Sequence, residues 1–222
     1  MRTTEKQTGE PRPWRALLWI AIAGLVFGAL GLGQIAEEAL RTARNGLHWH
    51  KASGDIVIVK IDNESLRKVG RWPWPRRYHA RMLDELTDAG ARRVFFDVQF
   101  YAASNPVDDA AFAQALRRSG RAFLPVGSSL GAQPKADQPP LPLLAREAQL
   151  GAIIWRYNYY NAVWRLPYAV DSKTGPLPSF AALMADRPGD PGSAFTVDYS
   201  LDPESIPSVS AAAVLGPQFD RN

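Results

Sequence analysis

Apolar and polar residues follow one another along residues 51–126 in patterns typical of strands and helices in turn. Continuous β-branched and apolar runs indicate strands covered on both faces, whereas apolar residues at spacings of three and four indicate helices. The pattern predicts, in order, a strand over 56–61, a helix over 76–89 ended by Gly90, a strand over 93–98, a helix from Asp108 or Asp109 to Gly120, and a strand over 122–126.

This order of strand, helix and strand implies right-handed parallel crossovers. The predicted fold class is therefore α/β, with a mostly parallel sheet and helices on both of its faces. The second half is less regular, and its predicted elements are a loop over 127–142, a helix over 143–149, strands over 152–155 and 162–170, a helix over 179–185, a strand over 195–199 and a helix over 208–215. Pro167 favours an edge position for the 162–170 strand.

A long apolar run precedes this region. No charged residue lies between Arg15 and Glu37, and about 20 apolar residues suffice for a helix to cross a bilayer. The alternative is a cleaved signal peptide, but the run is longer than a typical signal core and residues 33–36 match a cleavage site poorly. Basic residues before the run favour a cytoplasmic N-terminus. The sequence predicts a cytoplasmic tail (1–13), one transmembrane helix (14–36), a juxtamembrane stalk (37–50) and an exoplasmic domain (51–222).

Composition excludes several classes of protein. The chain has no cysteine, so neither disulfides nor cysteine-based metal sites are possible. The net charge of +4 is scattered, and adjacent arginine pairs at 76–77, 92–93 and 117–118 do not form one basic surface. Nucleic-acid binding requires a concentrated basic patch and is therefore not expected.

Two carboxylates are the first candidate site residues. Asp62 and Asp97 each lie at or near the end of a predicted strand, where ligands bind in open parallel sheets. Adjacent strands would bring both to one rim, able to hold a metal ion or to bind a cationic or hydroxylated ligand. The alternative is structural: Asp62 caps the next turn and Asp97 pairs with an arginine.

The run Trp72-Pro73-Trp74-Pro75-Arg76 is the second candidate. Alternating Trp and Pro give a stiff extended segment with large projecting rings, and Arg76 is suited to a carboxylate or phosphate. The alternative is a lid that packs its indoles over the core, and the usual burial of tryptophan favours this lid. Both interpretations hold if the lid also closes a pocket. No nucleophile elbow, phosphate-binding glycine loop or zinc-binding His-Glu-x-x-His motif is present. The pattern therefore indicates a binding domain, with no catalytic residue, metal or cofactor implied.

Several stretches together resemble a known family: DIVIVKIDNESL at 55–66, GRWPWPR at 70–76, AGA at 89–91 and FDVQF at 96–100. They are similar to the second type of CHASE domain, the extracellular sensory domains associated with cyclases and histidine kinases. NAVWR at 161–165 resembles a degraded form of the family's Asp-Gly-Val-x-Arg turn. The resemblance covers roughly residues 51–215.

The resemblance implies a periplasmic sensory domain of a bacterial inner-membrane receptor. Such domains are usually followed by further transmembrane helices and a cytoplasmic cyclase, cyclic-di-GMP enzyme or kinase. The family's next strand, Gly-Lys-x-Val-x-x-Gly, is absent, so the resemblance implies a fragment of a longer protein. Its candidate partners are the membrane, an unknown periplasmic small-molecule or protein signal, and a second copy of the chain. The functional region is expected at Asp62, Trp72, Trp74, Arg76 and Asp97.

Two other functions remain open at this point. One is a membrane-anchored, metal-dependent periplasmic hydrolase that uses Asp62 and Asp97. The other is a dimerisation module whose aromatic surfaces join two chains and which has no small-molecule ligand. Bound metal would favour the first, and a concentration-dependent dimer the second.

Overall fold

The computed structural model describes residues 13–29, 32–128, 136–155, 157, 162–187 and 189–216. Residues 1–12 of the predicted tail and Asn161 of the 161–165 motif lie outside the described residues. The chain divides into two compact units. One contains the residues up to Lys51 together with Tyr199–Asp202, and the other contains Ala52–Asp198 and the residues from Pro203 onward.

The first unit contains two helices, α1 (Pro13–Ala29) and α2 (Leu32–Leu47). His50 forms a parallel bridge with Leu201, in which the His50 N–H donates to the Ser200 carbonyl at 2.9 Å. Among the residues that the structure describes, no helix combines the length and the apolar character needed to cross a bilayer. The single span predicted over 14–36 is therefore not confirmed.

The second unit contains the remaining elements. Its helices are α3 (Asn63–Val69), α4 (Arg76–Asp88), α5 (Pro106–Ser119), α6 (Pro142–Ala145), α7 (Phe180–Met184) and α8 (Ala211–Val214), with a 3₁₀ turn at Pro203–Ser205. Its strands are β1 (Ile58–Lys60), β2 (Val94–Phe95), β3 (Ala122–Val126), β4 (Gln149–Ala152), β5 (Arg165–Pro167), β6 (Ala169–Ser172), β7 (Gly175–Pro178), β8 (Ala194–Thr196) and β9 (Ser208–Ser210).

The strands confirm the α/β class but not one continuous sheet. β2, β3 and β4 form a parallel sheet in that order, with Val94 opposite Ala122 and Phe123 opposite Gln149. β1 pairs with β9 in parallel, while β5–β8 and β6–β7 are antiparallel pairs. Pro167 lies in β5, which within the described residues pairs with β8 alone, so the predicted edge position is confirmed.

The main core lies where α4 and α5 pack together against the parallel strands. Its fully buried side chains include Leu83, Phe112, Leu116, Leu124 and Leu215. The predicted 76–89 helix and 122–126 strand are confirmed, because amphipathic spacing and buried apolar runs decide both. Gly120, with φ of +58°, ends α5 as predicted, since this left-handed conformation favours glycine.

The start of α5 differs from the prediction. The helix begins at Pro106 rather than at Asp108 or Asp109, because the Asn105 side chain accepts a hydrogen bond from the Val107 N–H at 2.9 Å. Proline suits the first turn of a helix because a backbone N–H at that position has no partner within the helix, so nothing is lost when proline lacks it.

Other elements also differ from the prediction: β2 is shorter than the predicted 93–98 strand, and the predicted 162–170 strand is divided between β5 and β6. Over 56–61, only Ile58–Lys60 is a strand, and Ile56, Val57 and Ile58 are exposed, since no described element covers their side chains. The first residues of the predicted 208–215 helix form β9, because they pair with β1. The predicted 143–149 helix ends at Ala145. The strand after it begins at Gln149 rather than at Ala152.

Candidate functional site

Residues 72–75, here called the Trp-Pro segment, join α3 to α4. Trp74 is 4% exposed, and its indole N–H donates to the Gly70 carbonyl at 2.9 Å. Trp72 remains 39% exposed, with its ring edge-on to that of Trp74 at a centroid separation of 5.7 Å. The segment therefore packs one indole into the core and leaves the other partly open, which is the lid arrangement.

His79 lies on the first turn of α4 and is enclosed by aromatic rings. It is 2% exposed, and neither ring nitrogen has a hydrogen-bond partner. Burial is the main cause that lowers the pKa of His79 from 6.5 to about 4; the Pro75 carbonyl opposes this shift and the charge of Arg76 adds to it. The imidazole is therefore neutral at neutral pH. Five ring centroids lie 5.1 to 6.4 Å from its own: those of Phe100, Trp72, Phe112, Trp74 and Phe96.

Arg76 opens α4 and is buried in an ion pair with Asp109. Its Nη1 donates to Asp109 Oδ1 at 2.7 Å, and its Nη2 donates to the Ala102 carbonyl. Asp109 also accepts from the backbone N–H of Ser104 at 3.0 Å and from its hydroxyl at 2.6 Å. Burial acts to raise the pKa of Asp109, but the bonds from Ser104 and Arg76 outweigh it and lower that pKa. The pair joins α4 to α5 and holds the intervening loop.

A second, more exposed ion pair lies beside the first. Arg77 Nη1 is 3.2 Å from Asp108 Oδ2, and the Arg77 guanidinium lies 4.9 Å from the Tyr78 ring centroid. Asp108 itself is buried in the first turn of α5, where a carboxylate is favoured by the helix dipole. Both arginines at the start of α4 are therefore paired with aspartates at the start of α5.

A cavity of about 740 Å³ opens next to these residues. This volume is within the range of small-molecule sites. Large aromatic surfaces and a few polar groups form its wall, a composition typical of ligand pockets. The lining residues are 72–76, His79, 97–105 and Asp108.

Four of the five predicted site residues border this cavity: Trp72, Trp74, Arg76 and Asp97. Asp97 follows β2 and is exposed. Within the described part of the chain, its carboxylate forms no hydrogen bond and no ion pair. No described arginine pairs with Asp97, as the structural alternative required; Arg93, four residues earlier, pairs with Asp186 at 2.6 Å.

Asp62, the fifth predicted residue, is not among the cavity residues and caps α3 instead. Its Oδ1 accepts from the Ser65 N–H, the Ser65 hydroxyl and the Ser210 hydroxyl, each at 2.9 Å. The bond from the Ser65 N–H is the largest cause that lowers the pKa of Asp62 to about 2. Ser65 is fully buried and accepts from the Ala212 N–H at 3.0 Å. The structure thus gives Asp62 the capping role considered above.

The two carboxylates do not meet at one rim. β1, which precedes Asp62, pairs with β9, whereas β2, which precedes Asp97, pairs with β3. No group of three or more His, Asp or Glu side chains able to hold a metal ion occurs in the described ranges. The hydrolase hypothesis required Asp62 and Asp97 in one site, and the structure does not place them there.

Comparison with models of known protein families gives a match for this chain. The model of the CHASE2 domain matches residues 16–221, nearly the whole length. The chain belongs to the CHASE2 family. No curated protein and no solved structure matches it. The CHASE2 match starts well before residue 51, so it includes most of the apolar 14–36 run as well as the Trp-Pro segment.

CHASE2 is a family of sensory, extracellular-type domains rather than catalytic ones. The cavity described above lies in this CHASE2 domain. Its family membership supports the sensory role that the motifs implied and gives no support to the hydrolase alternative.

Sequence reasoning missed several residues that build this site. Asn105 directly before Pro106 is a local signal for the start of a helix, and it predicts the observed cap. Asp109 was considered only as a possible first residue of α5. Its pairing with Arg76 spans 33 positions, and no local pattern reveals such a contact.

Proposed function

We propose that this CHASE2 domain is the sensory input domain of a bacterial transmembrane signalling protein. In this role, an external signal controls a cytoplasmic output domain such as a cyclase, a cyclic-di-GMP enzyme or a kinase. The observation that carries the proposal is the 740 Å³ cavity next to the Trp-Pro segment, with the partly exposed Trp72 on its wall.

The cavity is well placed to change the packing of the domain. The loop at 97–105 contributes much of its wall and is tied to both α4 and α5 through Arg76, Ser104 and Asp109. A ligand that prefers one position of this loop shifts a pre-existing equilibrium between arrangements. A differential affinity of about 1–3 kcal/mol is enough for useful coupling.

The proposal includes attachment to the bacterial inner membrane with the sensory domain in the periplasm. The support is the amino-acid content of α1, where Arg15 is the sole charged residue. Its large apolar side chains are exposed, including Trp14, Leu17, Trp19 and Leu25. Exposed apolar surface of this extent marks a contact with lipid or with another protein.

The first test is the reading frame downstream of the Asn222 codon. We expect further hydrophobic spans and the signature of a cyclase, phosphodiesterase or kinase. A stop codon directly after Asn222 would contradict control of an output domain in the same polypeptide.

The second test measures output in cells that carry the complete receptor. Trp72→Ala removes a ring from the cavity wall and is expected to change the basal or stimulated output. Trp155→Ala is the matched control, because Trp155 is similarly exposed and is not among the cavity residues. Equal output from both variants and the wild type, at equal protein levels, would reject the cavity as the sensory site.

A further inference from the structure

The cavity wall already holds one positive charge against an aromatic ring. Trp72, Trp74, Phe100 and Tyr101 all line the cavity. The guanidinium carbon of Arg76 lies 5.6 Å from the centroid of the Phe100 ring. Cations at this distance are attracted by the electron-rich ring face, most strongly by tryptophan. The indole of Trp72, which lines the same cavity and is partly exposed, offers further ring surface of the kind that attracts cations.

The charges around the cavity leave one carboxylate unbalanced. Arg76 is paired with Asp109 at 2.7 Å, and Arg77 with Asp108 at 3.2 Å. Asp97 lines the cavity, is exposed, and has no hydrogen bond or ion pair in the part of the chain that the structure describes. Two arginines and three aspartates thus give this group a net charge of −1.

His79 adds no positive charge to this balance. Its ring is buried among aromatic side chains, and burial lowers its pKa to about 4. The imidazole is neutral at neutral pH and acts as one more ring of the wall. The charge of Arg76 is already offset by Asp109, and both of its terminal nitrogens donate to protein oxygens.

Building on the sensory role proposed above, we propose that the cavity binds an organic cation. Its apolar body packs against the indole of Trp72, and its positive group faces the carboxylate of Asp97. An unpaired carboxylate next to aromatic surface provides both contacts that such a ligand requires.

The test uses three compounds that share a phenyl ring and a short side chain but differ in charge. Binding of 2-phenylethylammonium, 2-phenylethanol and phenylacetate to the complete chain is measured by isothermal titration calorimetry in mild detergent. We expect the ammonium ion to bind about tenfold more tightly than the alcohol, which corresponds to about 1.4 kcal/mol, and phenylacetate to bind most weakly.

Two variants locate the charge that produces this preference. Asp97→Asn is expected to bind the ammonium ion and the alcohol equally well, since the carboxylate is lost and the shape is kept. Asp88→Asn makes the same change at an exposed residue outside the cavity and should retain the preference. Circular dichroism verifies that both variants fold, as expected for side chains without hydrogen bonds in the described structure.

Equal affinity for the ammonium ion and the alcohol, tighter binding of phenylacetate, or no saturable ammonium binding would overturn the proposal. Retention of the preference in Asp97→Asn would overturn it as well. A changed output in Trp72→Ala cells without any cation preference would leave the sensory role intact and reject this ligand class. Cation binding that depends on Asp97, with an output unaffected by Trp72→Ala, would reject the sensory role instead.

Discussion

The least ordinary residue of the domain is His79, a neutral imidazole buried without a hydrogen-bond partner. A buried polar group that lacks a partner is destabilising relative to an apolar ring of similar shape. The surrounding Trp and Phe rings give dispersion and quadrupole contacts instead. Because the charged imidazolium would be buried as well, protonation of His79 opposes folding.

This arrangement predicts a specific pH dependence of stability. The folded-state pKa of His79, about 4, lies below its ordinary value of 6.5, so the unfolded chain binds the proton more readily. Stability is expected to fall as the pH drops from 6.5 to 4, by about 3 kcal/mol in total. His79→Phe should remove this loss, which urea unfolding at pH 7 and at about pH 4 measures.

His48→Phe is the matched control, because His48 is an exposed histidine of the same chain. The free energy of unfolding of His48→Phe should depend on pH in the same way as that of the wild type. A wild-type loss that persists unchanged in His79→Phe would show that another group causes it.

Among the secondary-structure elements, α3 depends most clearly on a contact that is distant in sequence. Asp62 caps this helix, and the same carboxylate oxygen accepts from Ser210 at the end of β9. Ser65 completes the network by accepting the N–H of Ala212 in α8. One aspartate therefore fixes the start of α3 and ties it to the segment that follows β9.

Asp62→Asn tests this network through its charge. The folded-state pKa, about 2, lies below the ordinary 3.8, so the contribution of Asp62 is complete above about pH 4 and is lost as the pH falls to about 2. The variant should be less stable than the wild type at about pH 5, and the difference should shrink at about pH 2.5. Urea unfolding followed by circular dichroism measures both.

Asp88→Asn removes an exposed carboxylate without hydrogen bonds in the described structure and serves as the control. A difference between Asp62→Asn and the wild type that stays constant with pH would mean that the charge of Asp62 is not what stabilises the network.

The elements that the sequence predicts well are those whose structure depends on residues close to one another in the sequence. α4 and α5 follow from apolar spacing, and β3 follows from a buried apolar run bounded by Gly120. The Trp-Pro segment was predicted as a lid over the core because tryptophan is usually buried, and Trp74 is.

The elements that the sequence predicts poorly depend on partners far away. The sequence predicts a helix over 208–215, but pairing with β1 makes its first three residues the strand β9. Asp62 and Asp97 follow β1 and β2, which the sequence predicts as neighbours but which do not pair with each other. The cavity residues, in contrast, are largely consecutive, so the motif that predicted them was local.

In the molecule as a whole, α4 and α5 are joined by two ion pairs with the same short distance. Arg76 to Asp109 and Arg118 to Asp84 each have a nitrogen–oxygen separation of 2.7 Å. The first pair has side chains 8% and 5% exposed, and the second 57% and 42%. The first pair is buried and has further bonds to Ala102 and Ser104, whereas the second pair is exposed to solvent.

Arg76→Met is expected to destabilise the domain by about 3–5 kcal/mol, because it leaves the Asp109 carboxylate buried without its cation. Arg118→Met, at the exposed pair, should cost less than about 1 kcal/mol, since solvent screens that pair. In Arg76→Met/Asp109→Asn the buried negative charge is also removed, so the double variant should be more stable than Arg76→Met alone. Urea unfolding of the four proteins measures these differences. Equal losses for the two single arginine variants would mean that burial does not set the strength of the link.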